Sequence, residues 1–291
     1  MRQRVAARVA GAAAASAAIA TFAHRRGLLD TGGAAGAVVT GTAITSAGGL
    51  DWAATLVYFF ASSSALSRVF AGRKRAIERE KFAKGGRRDL GQVAANGGVA
   101  TALALARALP WARRWREPVT AAFVAALAAA TADTWATEVG TLSRRPPRLI
   151  TSGRVVERGT SGGVSALGMG ATVAGATSLS GFFTLAGWLA RRDRLSRGRW
   201  VTFAAGAVGG VAGSLTDSAL GAAWQAVYRC PRCRVETEQR IHHCGTPTEL
   251  VRGLPWLDND GVNALSTAVG ALAGAAFWHA LRQPAQLPCG D

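Results

Sequence analysis

One stretch decides the fold: PVTAAFVAALAAATADTWATEVGTL, residues 118–142. It is apolar over a length that can cross a bilayer, because a helix rises about 1.5 Å per residue and the hydrocarbon layer is about 30 Å thick. Two acids, Asp133 and Glu138, nevertheless stand near its carboxyl end. An aspartate at the centre of a transmembrane helix costs about 2.5–3.5 kcal/mol on insertion scales. The stretch therefore predicts a membrane helix whose acids have a partner or a function.

The composition places the chain among helical membrane proteins. Of its 291 residues, 49% are hydrophobic and only 18% are charged, and the charged residues cluster between apolar runs. Soluble domains spread charge over their surface, whereas membrane proteins confine it to loops between runs of about 20 apolar residues. We therefore expect an all-α fold, a polytopic bundle of transmembrane helices.

The net charge of +17 would suggest nucleic acid as a partner of a soluble protein. Here the arginines fall in loops, where they set the topology and contact anionic lipid. The chain has no basic patch interleaved with aromatic residues, so we expect the lipid bilayer and not nucleic acid as the partner.

The apolar runs predict about eight spans (seven to nine) in a single integral membrane domain, residues 1–291. The first run follows three arginines and resembles a signal peptide, but a retained helix is favoured because more spans follow. A basic loop is expected at 73–88 and a cytoplasmic loop at 226–260. The predicted spans are 9–23, 28–48, 50–71, 93–109, 119–142, 162–190, 200–225 and 262–281.

The loop charges predict the orientation. Loops at 24–27, 73–88, 144–160 and 226–260 hold 20 Lys or Arg, against 13 on the opposite side. Because positively charged loops stay in the cytoplasm, we expect these four loops on the cytoplasmic side. We expect the protein itself in the cell (inner) membrane. The polar clusters of the chain then fall at the same face, which predicts one cytoplasm-facing site.

The acids of the central stretch are the first candidates for this site. Asp133 and Thr137 are one turn apart and share a helix face, and Glu138 lies on the same turn. Two interpretations stay open: the acids pair with loop arginines as topological anchors, or Asp133 is a metal ligand. Mg²⁺ favours one or two carboxylates together with substrate phosphates.

Two further groups of acids fall at the same face. The seventh span has small residues at intervals of three and four from Gly206 to Gly221, which predicts close helix packing. Packing does not explain Asp217 within this stripe, and a second carboxylate for the same metal is its expected role. Asp258 and Asp260 precede the last span, where helix capping and metal binding both stay open.

A glycine-rich turn leads into the sixth span. Glycines let the backbone approach an anion, and a helix N-terminus offers free N–H groups to it. Asn96 opens the fourth span and is a candidate to bind a nucleotide or a neighbouring helix. The residues of the turn are Gly159, Thr160, Ser161, Gly162 and Gly163.

The loop at 226–260 contains a cluster of soft metal ligands. Three of the four cysteines fall there, and Cys289 stands alone. Cys-x-x-Cys followed by a His/Cys group matches the ligand set of a structural Zn²⁺ site, with a disulfide as the alternative. Either histidine can supply the fourth ligand. The candidate zinc ligands are Cys230, Cys233, His242, His243 and Cys244.

Several of these motifs, in order, resemble the phytyl-phosphate kinase family, which includes transmembrane protein 19. The resemblance spans about residues 30–285. The pairing of the Asp133 segment with the glycine turn is more distantly similar to the dolichol kinase, phytol kinase and phosphatidate cytidylyltransferase group. The motifs are Asn96-Gly-Gly, Ala132-Asp-Thr-Trp-Ala-Thr-Glu-Val-Gly140, Pro147-Arg-Leu-Ile-Thr, Gly159-Thr-Ser-Gly-Gly-Val-Ser165, Gly213-Ser-Leu-Thr-Asp-Ser218 and Trp256-Leu-Asp-Asn-Asp-Gly-Val-Asn263.

The resemblance implies an enzyme of lipid metabolism, a kinase that phosphorylates an isoprenoid monophosphate to its diphosphate with Mg²⁺ and a nucleoside triphosphate. CTP is the favoured donor. ATP stays open as the alternative, because Arg158-Gly159 stands where the distantly similar kinases and cytidylyltransferases have a lysine before the turn. On this view Asp133 and Asp217 hold Mg²⁺, Asp258 or Asp260 assists, and the glycine turn binds phosphate. The arginines that attract and align the phosphates would be Arg144, Arg145, Arg148 and Arg158.

Two other functions stay open at this point. A CTP-dependent cytidylyltransferase would make a CDP-lipid, and a non-enzymatic lipid or ion transporter would use the intramembrane acids as a polar pathway. The prenyl chain length and the oligomeric state are also open, with a homodimer among the alternatives.

Overall fold

The computed structural model describes residues 2–191 and 197–282, so Cys289 lies outside the described residues. Within them the chain forms eight α-helices, a short 3-10 helix at Pro110–Trp115 and five short strands. This confirms the expected all-α bundle. The helices are α1 (Arg2–Arg25), α2 (Thr31–Gly48), α3 (Leu50–Lys81), α4 (Leu90–Ala108), α5 (Arg116–Gly140), α6 (Ala166–Arg191), α7 (Arg197–Ala223) and α8 (Asn259–Arg282).

Five of the helices in the described ranges are long and apolar enough to cross a membrane. They are α1, α3, α6 and α8, together with α5 and the 3-10 helix before it. Helices α2, α4 and α7 stand where spans were predicted, but their apolar runs are shorter or are diluted by glycine and polar residues. By length and composition, five helices of the described residues thus qualify as spans, against the seven to nine predicted.

Helix α5 lies at the centre of the bundle and packs against α3, α4, α6, α7 and α8. Its side chains from Ala121 to Ala132 are all buried. Alanine makes this position possible, because small side chains let several helices approach one another closely. The ring of Phe123 stacks on Trp52 of α3 at 3.8 Å between centroids, and these rings fill the space that the alanines leave.

Helices α1 and α2 lie at the periphery, where α1 packs on α2 and α2 packs on α4. The contact between α1 and α2 is close, since a Cβ added at Gly41 would meet the Ser16 hydroxyl. Val5, Ile19 and Phe22 of α1 are exposed. An exposed apolar face on a peripheral helix is what contact with lipid requires.

The predicted basic loop at 73–88 is wrong over its first half, because α3 continues to Lys81. The residues from Arg73 to Lys81 are strong helix formers without glycine or proline, so the helix extends beyond the apolar run. The expected start of the sixth span at residue 162 is also too early. Residues 163–164 pair as a strand, and α6 begins at Ala166.

The strands are confined to two of the loops. In the loop after α5, β1 (Arg148–Leu149) pairs antiparallel with β2 (Gly163–Val164). In the loop after α7, β3 (Val227–Arg229) pairs with β4 (Glu236–Thr237) and with β5 (Glu249–Arg252), in the order β4-β3-β5. These sheets give fixed geometry to loops that the sequence predicted only as polar segments.

The loops predicted to be cytoplasmic meet at one end of the bundle. Arg88 donates its N–H to Leu28 O at 3.0 Å, which ties the α3–α4 loop to the α1–α2 loop. Glu238 donates its N–H to Lys81 O at 2.8 Å, and Lys84 pairs with Asp260 at the start of α8. The structure thus brings together the loops that carry the predicted polar motifs.

Candidate functional site

A cavity of about 300 Å³ opens among these loops, at the end of the bundle where α5 and α7 end and α4 and α8 begin. Its size is at the lower limit of small-molecule sites. The predicted residues that line it come from five separate segments of the chain. They are Asn96, Asp133, Thr137, Glu138, Arg158, Gly159, Thr160, Ser161, Gly162, Gly163, Asp217, Asp258 and Asp260.

Asp133 of α5 and Asp217 of α7 bring their carboxyl groups into direct contact inside the cavity. Ser266 of α8 forms a side-chain hydrogen bond with Asp217. One oxygen of Asp217, Oδ2, is buried without a hydrogen-bond partner in the described part of the chain. Two converging carboxylates with a free buried oxygen fit the ligand set of a divalent cation, which supplies the positive charge that such a pair needs.

Lys84 stands beside a second group of acids. Its ammonium pairs with Asp260 and, at 2.8 Å, with Asp89. Burial disfavours the charged form of Lys84, but the two carboxylates outweigh it and raise the pKa of the lysine. The same lysine and the N–H of Gln92 hold the pKa of Asp89 below its usual value despite partial burial. Lys84 is therefore a fixed positive charge at the cavity wall.

Helix capping accounts for part of the polar motifs. Asp258 Oδ1 accepts the N–H of Gly261 at 3.0 Å and caps α8, although it also lines the cavity. Asp89 and Gln92 form a reciprocal capping box at the start of α4. Asn96 Nδ2 donates to Gln92 O within the same helix at 3.1 Å. Capping thus explains Asp258 and Gln92, whereas Asp260 pairs with Lys84.

The glycine turn is fixed by left-handed backbone and by close packing. Gly159 and Gly162 have φ of +80° and +81°. A Cβ at Gly162 would overlap the backbone of Ala222 in α7, so the turn lies directly against the end of that helix. The turn does not itself open α6, because β2 follows it and the Ser165 hydroxyl accepts the Gly168 N–H at 3.1 Å. Because Ser165 already binds one of its N–H groups, the N-terminus of α6 has fewer free N–H groups for an anion than the sequence predicted.

The remaining candidates differ in their access to the cavity. Thr137 is exposed at its wall. Glu138 is only 5% exposed and accepts a hydrogen bond from Ser67 Oγ at 2.6 Å. Arg158 lines the cavity, whereas Arg148 is turned to Gly153 O at 2.8 Å and is not among the lining residues. Arg144 and Arg145 are likewise exposed and outside the lining.

Sequence reasoning missed Glu238, which reaches the cavity from the loop after α7. Its Oε1 accepts hydrogen bonds from Gln225 Nε2 at 2.7 Å and from Ser161 Oγ at 3.0 Å. Burial raises the pKa of Glu238, although these donors and the Ala83 N–H favour its charged form. A single glutamate in a polar loop has no periodicity or spacing that distinguishes it. Lys84 was missed for the same reason, as one of eight basic residues in the predicted loop.

A separate cluster lies outside the cavity. One ligand atom from each of Cys230, Cys233, His242 and Cys244 falls within 4.8 Å of all the others, the arrangement of a metal site. The three cysteines are free thiols, so the disulfide alternative is not present among the described residues. His243 is exposed and outside the cluster, although its ring lies 4.0 Å from that of His242. The structure thus selects His242 as the fourth member.

Comparison with known proteins agrees with this architecture. A family described as "Integral membrane protein DUF92" matches residues 14–271. Protein PGR of Arabidopsis thaliana is 32% identical over 262 residues, which cover 85% of this chain and 88% of the relative. An uncharacterized membrane protein of Methanocaldococcus jannaschii, MJ0933, is 29% identical over 250 residues, 86% of each chain. No solved structure matches the chain at a significant level.

Proposed function

Because the chain belongs to the DUF92 family of integral membrane proteins, we propose that its polar cavity is the active site of a membrane-embedded prenyl-phosphate kinase. The reaction is the phosphorylation of an isoprenoid monophosphate, of the phytyl or geranylgeranyl type, to the diphosphate. One observation carries the proposal: the contact between Asp133 and Asp217 in a cavity that also holds a glycine turn and cationic side chains. The motif resemblance to phytyl-phosphate kinases supplies the substrate class.

The residues present fit Mg²⁺. Two carboxylates in contact, one with a buried oxygen that has no hydrogen-bond partner among the described residues, match a cation that takes one or two protein carboxylates and completes its shell with phosphate oxygens and water. Asp133 and Asp217 would hold the ion, and Asp260 lies in the same cavity. When bound, Mg²⁺ would neutralise charge on the phosphate oxygens.

The chain supplies positioning and neutralisation of charge. The second pKa of a phosphate monoester is about 6, so the acceptor is mostly dianionic at neutral pH and needs no general base. One of its oxygens forms a bond to the γ-phosphorus of the donor, the bond from that phosphorus to the β–γ bridging oxygen breaks, and the nucleoside diphosphate leaves with the electron pair. Lys84 and Arg158 face the cavity with positive charge, and the glycine turn, which also lines the cavity, would bind the phosphate oxygens.

The position of the cavity favours a kinase over a transport pathway. On α5 the polar lining stops at Asp133, and the segment of this helix from Ala121 to Ala130 is apolar and buried. A transporter needs acids that both sides of the membrane can reach in turn. The described residues offer a cavity at one end of the bundle, which suits a water-soluble donor and a membrane-embedded acceptor.

The test is an assay with purified protein, Mg²⁺, geranylgeranyl phosphate and labelled CTP or ATP, with the lipid products resolved. A labelled diphosphate is the expected product. A CDP-lipid would identify a cytidylyltransferase instead, and no lipid product with either nucleotide would overturn the enzyme proposal in favour of transport.

Two variants make the assay specific to the site. Asp133→Asn should abolish turnover while the protein stays folded, because the amide is a much poorer Mg²⁺ ligand. The matched control is Glu117→Gln, which removes an exposed carboxylate from the opposite end of the bundle, where it pairs with Arg282 at 2.7 Å. Near-normal activity of Asp133→Asn would eliminate the metal-ligand role.

A further inference from the structure

The Cys/His cluster and the cavity are joined by one short hairpin. The hairpin comprises residues 227–244, the antiparallel pair β3 and β4 together with the segment after it. Cys230 and Cys233 lie in the turn between the two strands, and His242 and Cys244 lie at the end of the segment. Glu238 lies between these two pairs of residues and points into the cavity. The proposed function uses neither the cluster nor this glutamate.

Two distances within the cluster are close to those of a tetrahedral zinc site. Sγ of Cys230 and Sγ of Cys244 are 3.7 Å apart, and Nδ1 of His242 is 3.2 Å from Sγ of Cys244. With Zn–S bonds of about 2.3 Å, tetrahedral geometry puts two sulfurs about 3.8 Å apart. Three soft thiol ligands and one imidazole select zinc over Mg²⁺ or Ca²⁺, which prefer oxygen.

The backbone around the cluster has two tight turns. The Cys233 N–H donates to Sγ of Cys230 at 3.4 Å, and Arg234 adopts a left-handed φ of 58° that lets the chain reverse. In the second turn, the Gly245 N–H donates to His242 O at 2.8 Å. Strands of two to four residues between these turns cannot bury a core of their own, and segments of this size fold on a metal or on disulfides.

The hairpin is docked on the end of α3. Besides the Glu238 N–H, the Thr237 hydroxyl donates to Lys81 O at 3.2 Å. Gln239 Nε2 donates to Arg79 O at 3.0 Å and to Phe82 O at 2.9 Å. The extension of α3 beyond its apolar run thus provides the platform for the hairpin.

From this docked position Glu238 connects three parts of the cavity wall. Its carboxyl oxygens accept from Ser161 in the glycine turn, from Gln225 after α7 and from the Ala83 N–H in the α3–α4 loop, the last at 3.4 Å. A carboxylate with donors from three segments fixes their relative position, since each donor would otherwise need water.

We propose that the cluster of Cys230, Cys233, His242 and Cys244 binds a structural Zn²⁺, and that the zinc-held hairpin places Glu238 as a positioning residue for the glycine turn. Zinc thereby sets the geometry of the phosphate-binding part of the cavity without contacting the substrate. The zinc site does not depend on the proposed function. Only the effect of zinc on catalysis rests on the proposed function.

The first experiment measures the zinc content of the purified protein by mass spectrometry of the metal. About one Zn²⁺ per chain is expected, and His242→Gln should lose it because a closed structural site needs all four ligands. The matched control is His243→Gln, which alters the neighbouring histidine outside the cluster and should retain zinc. A wild-type protein without zinc, or equal loss in the two variants, would overturn the zinc site.

The second experiment measures hydrogen–deuterium exchange of the turn at residues 157–165. Removal of zinc from the folded wild-type protein with a chelator should speed this exchange several-fold, and Zn²⁺ but not Mg²⁺ should restore it. Glu238→Ala should speed the same exchange while the zinc content stays normal, which separates the glutamate from the metal. Unchanged exchange in the turn in both cases would contradict the positioning role.

The effect of Glu238 on catalysis is measured in a third experiment. In Glu238→Ala we expect the KM for the nucleotide to rise several-fold with a smaller change in kcat, because the glutamate orders a binding element and does not touch the reacting atoms. A fall in kcat alone would contradict this role. If the wild-type protein has normal zinc and zinc-dependent exchange but forms no lipid product, the proposed function fails and the zinc-dependent positioning stands.

Discussion

Asp133 and Asp217 repel each other when both are ionised, and their contact is therefore costly unless they share a metal ion or a proton. Each acid alone has a structural explanation, as a topological anchor or a polar group in a packed helix. Together, on two helices and in one cavity, they are better explained by a metal. If the two acids bind a metal, Mg²⁺ should stabilise the wild-type protein through Asp217. If their roles are only structural, Mg²⁺ should have no effect that depends on Asp217.

The variant Asp217→Asn should separate the two explanations. Without Mg²⁺ it should unfold at the same temperature as the wild type or higher, because one of the repelling charges is gone. With Mg²⁺ at about 100 times its Kd, the wild type should gain about 2.7 kcal/mol and the variant little or nothing. Thermal unfolding in detergent, with and without Mg²⁺, measures both effects. The same Mg²⁺-dependent gain in the variant would show that Asp217 is not a ligand.

Gly91 tests the ion pair at the cavity wall. A Cβ added there would overlap the Asp260 carboxylate and lie 3.1 Å from Lys84 Nζ, so Gly91→Ala should displace this pair and raise the KM for the nucleotide several-fold. At Gly98 in the same helix, such a Cβ would meet no atom of the described residues within 4 Å apart from the helix's own backbone. Gly98→Ala should therefore leave the KM unchanged and be neutral or stabilising, by up to about 1 kcal/mol. Equal kinetics in the two variants would argue against a role for the Lys84–Asp260 pair.

At the scale of elements, the sequence predicted the helices well because each depends on its own apolar run. The site was predicted in part. Asp133 and Asp217 could be recognised as candidates because an acid within an apolar helix is unusual and is visible in the sequence itself. Glu238 and Lys84 were not, since their importance comes from contacts across 77 and 176 residues of chain, with Ser161 and Asp260.

The glycine stripe of α7 is the element whose predicted packing role is confirmed. A Cβ at Gly213 would overlap Ala129 of α5 and lie 2.8 Å from Ser266 O of α8. Gly210 is enclosed in the same way by Ala128 and Ala176. The stripe thus lets α7 approach three helices at once, and it holds Asp217 one turn beyond Gly213 against α5.

Gly213→Ala should consequently destabilise the bundle by about 1–3 kcal/mol, the usual cost of an extra carbon in a packed interior. It should also weaken Mg²⁺ binding, since α7 must move away from α5. The control is Gly170→Ala in α6, where a Cβ would meet nothing within 4 Å in the described part of the chain outside the helix's own backbone. Unfolding of both variants in detergent, with Mg²⁺ titrated into the folded protein, provides the comparison. If Gly213→Ala were as stable as Gly170→Ala, the close packing of α7 would be refuted.

At the scale of the whole molecule, charge and aromatic residues indicate how the bundle sits in the membrane. The segments predicted from the sequence to be cytoplasmic hold 20 Lys or Arg, and those predicted on the opposite side hold 13. Exposed tryptophans mark both ends, which is typical of helices anchored at two membrane interfaces. At the cavity end they are Trp224 and Trp256, and at the other end Trp111, Trp115, Trp188 and Trp200.

The charge difference predicts that the cavity faces the cytoplasm, the compartment that supplies nucleoside triphosphates. Alkaline phosphatase, which is active only outside the cytoplasm, should be inactive when fused after residue 86 or 245 and active after residue 49 or 113. A fluorescent protein that matures only in the cytoplasm should give the reverse pattern at the same four positions. These positions alternate along the chain, so the result also tests whether α3 and α4 each cross the membrane, and whether α5, α6 and α7 together cross it an odd number of times. An outward-facing cavity would deny the proposed kinase its donor, and the zinc cluster would then lie in an oxidising compartment where its thiols pair as disulfides.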